Sequence, residues 1–275
     1  MALIILTLAF VGLCAGSFIN ALVWRLHERE TKKGKVSKKL SILNGRSMCV
    51  NCHHELAWYD LIPLVSWLAL RGKCRYCRKP IDDNPLVELL AAVVFVGSYL
   101  FWPETVNLNG QWLLLATWLT AAVGLLALAV YDLRWMLLPN RIIYPTLVAA
   151  VTGRAGFIIF FDNRPWHALI MWLFSVAIAS GLFFALFVIS KGKWIGYGDV
   201  RLGLITGSLL ADPEKSITML FMASVLGTIA VLPAIAKGNK DLSSKLPYGP
   251  FLIAATAIIV LFGDSLLNWY KGLIL

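Results

Sequence analysis

The hydrophobic residues of this chain are gathered into eight long runs, separated by short polar stretches and by one long polar loop. About 20 consecutive apolar residues are needed to cross a bilayer as a helix. On that rule we predict membrane segments at residues 2–26, 85–102, 111–131, 140–161, 166–190, 199–210, 215–236 and 248–270. The sixth run is short, so we expect it to form a tilted or partial helix. The pattern predicts an all-α polytopic membrane protein with about eight transmembrane helices.

Composition supports the same fold class. The chain has 275 residues, is 59% hydrophobic and has a mean hydropathy of +0.75, whereas soluble domains are about 45–50% apolar. The formal net charge is +10, and 13 of the 25 Lys and Arg residues lie between Arg25 and Lys79. Beside a membrane segment such a basic block marks the cytoplasmic side more often than a nucleic-acid site. We therefore expect the lipid bilayer, and no nucleic acid, as a partner.

The basic residues also predict an orientation for the segments. With the amino terminus outside, the inner loops are 25–84, 132–141, 191–201 and 237–247. These loops hold 21 of the 25 Lys and Arg residues, and four remain for the outer half. Because cytoplasmic loops carry the excess of Lys and Arg, this split favours an amino terminus outside the cytoplasm.

Two acidic residues lie at the ends of membrane segments. Asp132 ends the third segment, and Asp199 begins the sixth, directly after Gly196-Tyr197-Gly198. Two crossings separate the two acids, so both are predicted at the cytoplasmic face. We expect the two glycines to let the backbone turn tightly and to leave space beside the Asp199 carboxylate.

Several functions are compatible with these two acids. Asp199 alone could be a helix cap, but two carboxylates at one membrane face favour acid/base hydrolysis. A transporter with Asp132 and Asp199 as a proton relay is the alternative, although it would place the acids nearer the middle of the membrane. A scaffold without chemistry leaves the pair unexplained. The common-face argument requires residues 140–161 to span the membrane despite Arg154 within them.

The polar loop after the first helix contains four cysteines in two C-x-x-C pairs. Cys49 and Cys52 are separated by 21 residues from Cys74 and Cys77. Four thiolates in two knuckles match a tetrahedral structural zinc site. Paired thiols in a basic, cytoplasmic loop favour metal ligation over disulfides. A pair of redox dithiols is the less favoured alternative, because neither pair lies in a βαβ pattern.

The predicted domain organisation follows from these features. Residues 1–26 form the first transmembrane helix, residues 27–84 a cytoplasmic zinc-binding domain, and residues 85–275 a membrane-embedded catalytic domain. Glu88, just inside the second segment, could pair with a Lys or Arg of the loop. Its role is then structural or belongs to a second activity, and the sequence does not choose between them.

A series of short motifs, in order and spacing, resembles one family along nearly the whole chain. The chain is similar to the type IV prepilin peptidases, which are bifunctional leader peptidase/N-methyltransferases. The motifs are Gly16-Ser17-Phe18-Ile19-Asn20 with Arg25, the two C-x-x-C pairs, Asp60-Leu61-Ile62-Pro63, Arg71-Gly72-Lys73-Cys74, Pro85-Leu86-Val87-Glu88, Asp132 before Leu138-Pro139-Asn140, Gly196-Tyr197-Gly198-Asp199, and Pro247-Tyr248-Gly249-Pro250-Phe251. Small departures are Arg201 where Lys is usual, Asn140 where Asp is common and Val50 where Pro is common.

The resemblance implies an aspartic peptidase of the GxGD class in the bacterial inner membrane. By motif match, Asp132 and Asp199 take the places of the catalytic aspartates, and Gly196 and Gly198 belong to the active-site loop. Such enzymes remove a basic leader from prepilins and pseudopilins, then methylate the new amino terminus with S-adenosylmethionine. The sequence contains no glycine-rich S-adenosylmethionine fingerprint, so the residues that bind this cofactor are left unassigned.

Overall fold

A computed structural model describes residues 1–31, 45–81, 85–106, 110–236 and 247–274. Within these residues all regular structure is helical, apart from two isolated β-bridges. The helices are α1 (Ala2–Thr31), α2 (Val65–Ala69), α3 (Leu86–Leu100), α4 (Gln111–Trp135), α5 (Asn140–Phe160), α6 (Pro165–Ser190), α7 (Tyr197–Leu210), α8 (Pro213–Ala236) and α9 (Gly249–Ile274), with a 3-10 turn at Trp58–Leu61. The basic stretch 32–44 and nearly all of the predicted inner loop 237–247 lie outside the described residues.

Each of the eight hydrophobic runs forms a helix. Six of them, α1, α4, α5, α6, α8 and α9, are long and apolar enough to cross a membrane. Helix α3 has 15 residues and α7 has 14, so both are shorter than a full crossing. The prediction of an all-α polytopic membrane protein is confirmed, and the sixth run is the short helix that was expected.

The chain divides into two compact units, Met1–Leu100 and Phe101–Leu275. In the first unit, α1 packs against α3 with the two backbones in contact. A Cβ atom added to Gly12 would lie 2.6 Å from Cα of Ala92, and one added to Gly16 would overlap Cα of Glu88. Small residues allow this close approach between membrane helices. The Gly16-Ser17-Phe18 motif therefore has a packing role.

In the second unit, helix α7 is fixed against α6 by a close backbone contact. A Cβ atom on Gly203 would lie 2.6 Å from the Ala179 carbonyl oxygen. Ser180 Oγ donates a hydrogen bond to the Val200 carbonyl at 2.9 Å, one residue after Asp199. Hydrogen bonds between helices stabilise membrane bundles because apolar lipid offers no competing partner. The turn that carries Asp199 is therefore held in place by α6.

Helix α5 is long enough to span, which the common-face argument required. It packs against α4, where a Cβ atom on Gly124 would overlap Thr146. Arg154, a charged residue within α5, borders an open polar cavity that Asp162 and Asp212 also line. Its guanidinium carbon lies 5.4 Å from the centre of the Phe157 ring. A buried charge is tolerated in a membrane helix when it faces such a cavity rather than lipid.

Candidate active site and four-cysteine centre

Asp132 lies in the last turn of α4 and is held there by the start of α9. Its side chain is almost fully buried, with 5% exposed. The backbone N–H of Gly249, the first residue of α9, donates a hydrogen bond to Asp132 Oδ2 at 3.2 Å. The neighbouring Tyr131 is fully buried and packs on Trp135, with 4.6 Å between ring centres. The orientation of the carboxylate is therefore set by groups from two helices.

Asp199 lies in the first turn of α7, but it is not the helix cap. The N-cap is Gly196, which makes no side-chain capping bond, and the Asp199 backbone N–H donates to the Gly196 carbonyl at 3.1 Å. The Asp199 carboxylate accepts a hydrogen bond from the Gly196 backbone, as the third residue of a helix does in a capping box. Asp199 therefore contributes to the start of α7 in addition to any chemical role.

The two glycines before Asp199 differ in their roles, and neither makes the tight turn that we expected. Gly196 has φ −76°, which any residue can adopt, whereas the turn is made by Lys191 and Gly192, with φ 50° and 75°. Gly198 allows a close approach, because a Cβ atom there would lie 3.0 Å from the Leu138 side chain, which would have to shift by a few tenths of an ångström. The expectation of space beside the carboxylate holds, since a Cβ atom on Gly196 would lie 3.7 Å from Asp199 Oδ2.

The structure brings Asp132 and Asp199 together. The Asp199 carboxylate is close enough to interact electrostatically with that of Asp132. Leu202, three residues after Asp199 on α7, lies beside Gly249, since a Cβ atom on Gly249 would be 3.6 Å from its Cδ2. The ends of α4, α7 and α9 therefore meet at one place. Two carboxylates in such a site can divide the roles of general acid and general base.

Gly249 is a site residue that sequence reasoning did not single out. It appeared only as part of the motif Pro247-Tyr248-Gly249-Pro250-Phe251 in the family resemblance. A Cβ atom on Gly249 would lie 2.7 Å from Asp132 Oδ2, closer than real Cβ contacts. Only glycine lets its N–H reach this carboxylate without displacing it.

Gly249→Ala is therefore expected to lower the rate of the aspartate-dependent reaction by about 100-fold, because misplacing a catalytic group by about 1 Å has an effect of that size. The measurement is kcat for the purified protein with its folding monitored by melting temperature. The matched control is Gly227→Ala, whose new methyl would meet Phe251 at an ordinary 3.7 Å. A wild-type kcat in Gly249→Ala would contradict this role.

The two C-x-x-C pairs form two turns with the same backbone pattern. In the first, Cys49 N–H donates to the His54 carbonyl at 3.0 Å and His53 N–H donates back to Cys49 at 2.9 Å. In the second, Cys74 N–H donates to Lys79 and Arg78 N–H donates to Cys74, both at 2.9 Å. His53 and Arg78, at matching positions, both have φ 55°. Each pair is thus presented by a tight knuckle.

The four sulfur atoms are arranged as a metal would require. The Sγ atoms of Cys49, Cys52, Cys74 and Cys77 all lie within 4.8 Å of one another, and those of Cys49 and Cys77 are 3.9 Å apart. Four thiolates at the usual Zn–S distance of about 2.3 Å in a tetrahedron are about 3.8 Å apart. The predicted four-cysteine cluster is confirmed, and its sulfur separations suggest a metal site.

Asp60 ties the second knuckle to the 3-10 turn at Trp58–Leu61, a role that the sequence did not reveal. Its carboxylate is 3% exposed. It accepts hydrogen bonds from Arg75 Nε at 2.7 Å, Tyr76 Oη at 3.2 Å and the Ala57 N–H at 3.3 Å. The bond to Asp60 raises the pKa of Arg75, and desolvation, aided by hydrogen bonds, raises the pKa of Tyr76 to about 12. Both groups therefore remain donors to Asp60 at neutral pH.

Glu88 connects α3 to the polar loop. Its Oε2 atom accepts a hydrogen bond from the backbone N–H of Leu64 at 2.7 Å, just before α2. The carboxylate thus fills the place of a missing capping side chain at the start of α2. The structure thus gives Glu88 a structural role, where the sequence left open a structural role or one in a second activity.

Comparisons with known proteins agree with this pair of sites. The Bacterial Peptidase A24 N-terminal domain matches residues 10–102, and the Type IV leader peptidase family matches residues 119–232. A protein of Aeromonas hydrophila named prepilin leader peptidase/N-methyltransferase is 32% identical over 94% of this chain and 91% of its own length. A Pseudomonas aeruginosa protein of the same name is 30% identical over 97% of this chain and 93% of its own. No solved structure matches the chain.

The N-terminal match covers the four-cysteine loop and the packed helices α1 and α3, and the second match covers both aspartates. The agreement extends over nearly the full length of these relatives. The chain therefore belongs to the prepilin leader peptidase/N-methyltransferase family.

Proposed function

We propose that this protein removes the leader peptide from prepilins or pseudopilins and then methylates the new amino terminus. The observation that carries the proposal is the meeting of Asp132 and Asp199, from the ends of α4 and α7, at the buried start of α9. Cleavage takes place at the cytoplasmic face of the bacterial inner membrane. The 21 Lys and Arg residues of the predicted inner loops support this orientation.

The aspartates act as general acid and base on a peptide bond. One carboxylate takes a proton from a water molecule, which attacks the scissile carbonyl carbon. The other polarises the carbonyl oxygen and then protonates the leaving amine. Interacting carboxylates share their protons, so the acid and base roles are assigned to the pair rather than to either residue. The Gly249 N–H holds Asp132 in a fixed orientation throughout.

The position of the pair suits a substrate with two different halves. The ends of the membrane helices have water on one side and lipid on the other. A basic leader can remain in water while the apolar helix of the pilin remains in the bilayer. The basic loop does not attract a basic leader, and we propose that it holds the enzyme against anionic lipid instead.

The second activity needs a methyl donor and a metal-stabilised first unit. S-adenosylmethionine would supply an electrophilic methyl group for the amine that cleavage exposes. Zinc, held by Cys49, Cys52, Cys74 and Cys77, would have a structural role, since a four-thiolate site leaves no open position for catalysis. The comparisons give no support to a transporter that uses the aspartates as a proton relay.

The test is to incubate purified protein with a synthetic prepilin, with and without S-adenosylmethionine, and to measure product masses. We expect leader removal in both reactions and an added methyl group only with S-adenosylmethionine. An intact substrate in both reactions would contradict the proposed function.

A further inference from the structure

The polar cavity beside Arg154 lies at the end of the second unit that is remote from the aspartates. Asp132 is in the last turn of α4, whereas Gln111, the first residue of α4, lines the cavity. The helical rise between these two residues is about 32 Å, close to the thickness of the hydrocarbon core of a bilayer. The cavity is therefore at the level of the lipid headgroups, on the predicted outer face, and the cleavage chemistry does not use it.

The size and lining of the cavity suit a small amphipathic ligand. Its volume is about 480 Å³, within the range of about 300–1,000 Å³ for pockets that bind small molecules. The wall is built from the starts of α4 and α8, the ends of α5 and α7, and the second half of α9. Aromatic rings of Trp102, Phe157 and Phe161 lie on it beside charged side chains. Such a mixture is typical of the membrane–water interface.

Arg154 is a cation on this wall that has no partner for its charge. Lys215 Nζ is paired with Asp264 at 2.8 Å. Within the described residues, by contrast, the Arg154 guanidinium makes no hydrogen bond and no ion pair, and its Nε atom is buried. A charged group inside a membrane helix is costly unless it is paired. The unpaired guanidinium therefore indicates an anionic group of a ligand.

Two carboxylates line the same cavity without contacting Arg154. Asp162 and Asp212 interact with its guanidinium electrostatically, but neither forms an ion pair with it. Each uses its Oδ1 atom to accept a backbone N–H, from Arg164 at 2.8 Å and from Lys215 at 3.0 Å respectively. Within the described part of the chain, their Oδ2 atoms accept no hydrogen bond. Opposite charges kept apart across a cavity indicate a ligand that carries both an anion and a cation.

We infer that this cavity binds the headgroup of a phospholipid that carries a phosphate and a primary ammonium, as phosphatidylethanolamine does. The phosphate binds Arg154, whose planar guanidinium matches phosphate oxygens in two parallel hydrogen bonds. The ammonium, with its three N–H donors, binds Asp162 and Asp212. The position at headgroup level and the aromatic lining favour a lipid over a free solute, because the acyl chains can remain in the bilayer.

The charge balance of the wall argues against a purely anionic headgroup. The lining contains more acidic than basic side chains, namely Glu104, Asp162, Asp212 and Asp264 against Arg154, Arg164 and Lys215. An anion without an ammonium would leave Asp162 and Asp212 unpaired and would be repelled by them. We therefore expect the wild type to prefer phosphatidylethanolamine to phosphatidylglycerol, which has the phosphate but no ammonium.

Arg154→Met separates a binding role from a structural one. The substitution removes an unpaired charge and keeps a long, unbranched side chain. The melting temperature of the lipid-free protein in a non-ionic detergent is therefore expected to stay level or rise. The affinity for short-chain phosphatidylethanolamine is expected to fall at least about tenfold, because the charge-assisted bonds to the phosphate are lost. The measurements are native mass spectrometry of the full chain with added lipid, and melting temperature.

Asp162→Asn is the second variant, and it tests selectivity. Asn keeps the oxygen that accepts the Arg164 N–H but removes the charge that attracts the ammonium. The preference for phosphatidylethanolamine over phosphatidylglycerol is expected to fall by up to about fivefold, since one of two carboxylates is neutralised. The matched control is Lys271→Met, which removes a half-exposed cation at the same end of the unit, outside the lining. This control should bind both lipids as the wild type does.

The outcomes decide both the site and its occupant. Equal binding by the wild type and Arg154→Met, or a wild type that does not distinguish the two lipids, would overturn the inference. A lowered melting temperature of lipid-free Arg154→Met would assign Arg154 a structural role and overturn it as well. Free phosphoethanolamine is the last probe. Its binding in place of the lipid would show a soluble occupant and contradict the lipid assignment, whereas displacement of bound phosphoethanolamine by the lipid would support it.

Discussion

Asp132→Asn is expected to abolish leader cleavage, and Asp199→Asn is expected to do the same. Each change keeps the shape of the side chain but removes its ability to exchange a proton. General acid–base catalysis contributes about 10²–10⁴-fold to a rate. The cleavage rate should therefore fall by at least about 100-fold. Asn can still accept the Gly249 N–H bond that Asp132 Oδ2 accepts at 3.2 Å, so the site should keep its geometry.

The measurement is the initial rate of leader removal at equal amounts of membrane-inserted protein. Asp264→Asn is the matched control, since this residue of the same unit pairs with Lys215 at 2.8 Å and is 56% exposed. It should cleave as the wild type does. Normal processing by either Asp132→Asn or Asp199→Asn would remove that residue from the catalytic pair.

The double variant Cys74→Ser, Cys77→Ser is expected to lose methylation more severely than cleavage. Losing two of four ligands releases the metal, and a structural metal contributes folding energy to its own small domain. The cysteines lie in the first unit, whereas both aspartates lie in the second. The measurement is mass spectrometry of the mature pilin from cells with normal amounts of the variant.

Cys14→Ser serves as the matched control for the metal experiment. Cys14 is in the same unit but outside the four-cysteine cluster, so zinc content and both activities should be unchanged. Cleaved, unmethylated pilin in the double variant is the expected product. Uncleaved substrate, or fully methylated product, would show that the loop does not serve methylation selectively.

The helices could be predicted because each hydrophobic run is long enough to form one. The lipid requires every backbone group in a span to bond within its own segment, so run length nearly determines the element. Helix α7 has only 14 residues, and contacts with α6 stabilise it, through Gly203 on α7 and Ser180 on α6. The knuckles could be predicted because the C-x-x-C spacing places both cysteines of a pair on one tight turn.

The supporting residues could not be predicted in the same way. The bond from Gly249 to Asp132 joins residues 117 positions apart, and the bond from Tyr76 to Asp60 depends on the folding of the whole loop. Such partners are determined by tertiary packing, which no local pattern encodes. The prediction of a tight turn at Gly196 was wrong for a related reason, because the turn between α6 and α7 is made by Lys191 and Gly192.

The domain boundaries, the roles of Asp132 and Asp199, and the identity of the metal stay predictions. The roles of the aspartates rest on the position of Asp132 beside Gly249, and the proposed metal rests on four sulfur atoms within 4.8 Å of one another. Leader removal and metal content of the purified protein address the last two directly.

The most direct test of a shared catalytic site is the residual cleavage rate of the double variant Asp132→Asn, Asp199→Asn against both single variants. Residues that act as one unit are strongly non-additive, so removing the second one costs little more than removing the first. We predict that the double variant cleaves no more slowly than the slower single variant. Losses that multiply in the double variant would mean that the two aspartates act independently, and would contradict the account.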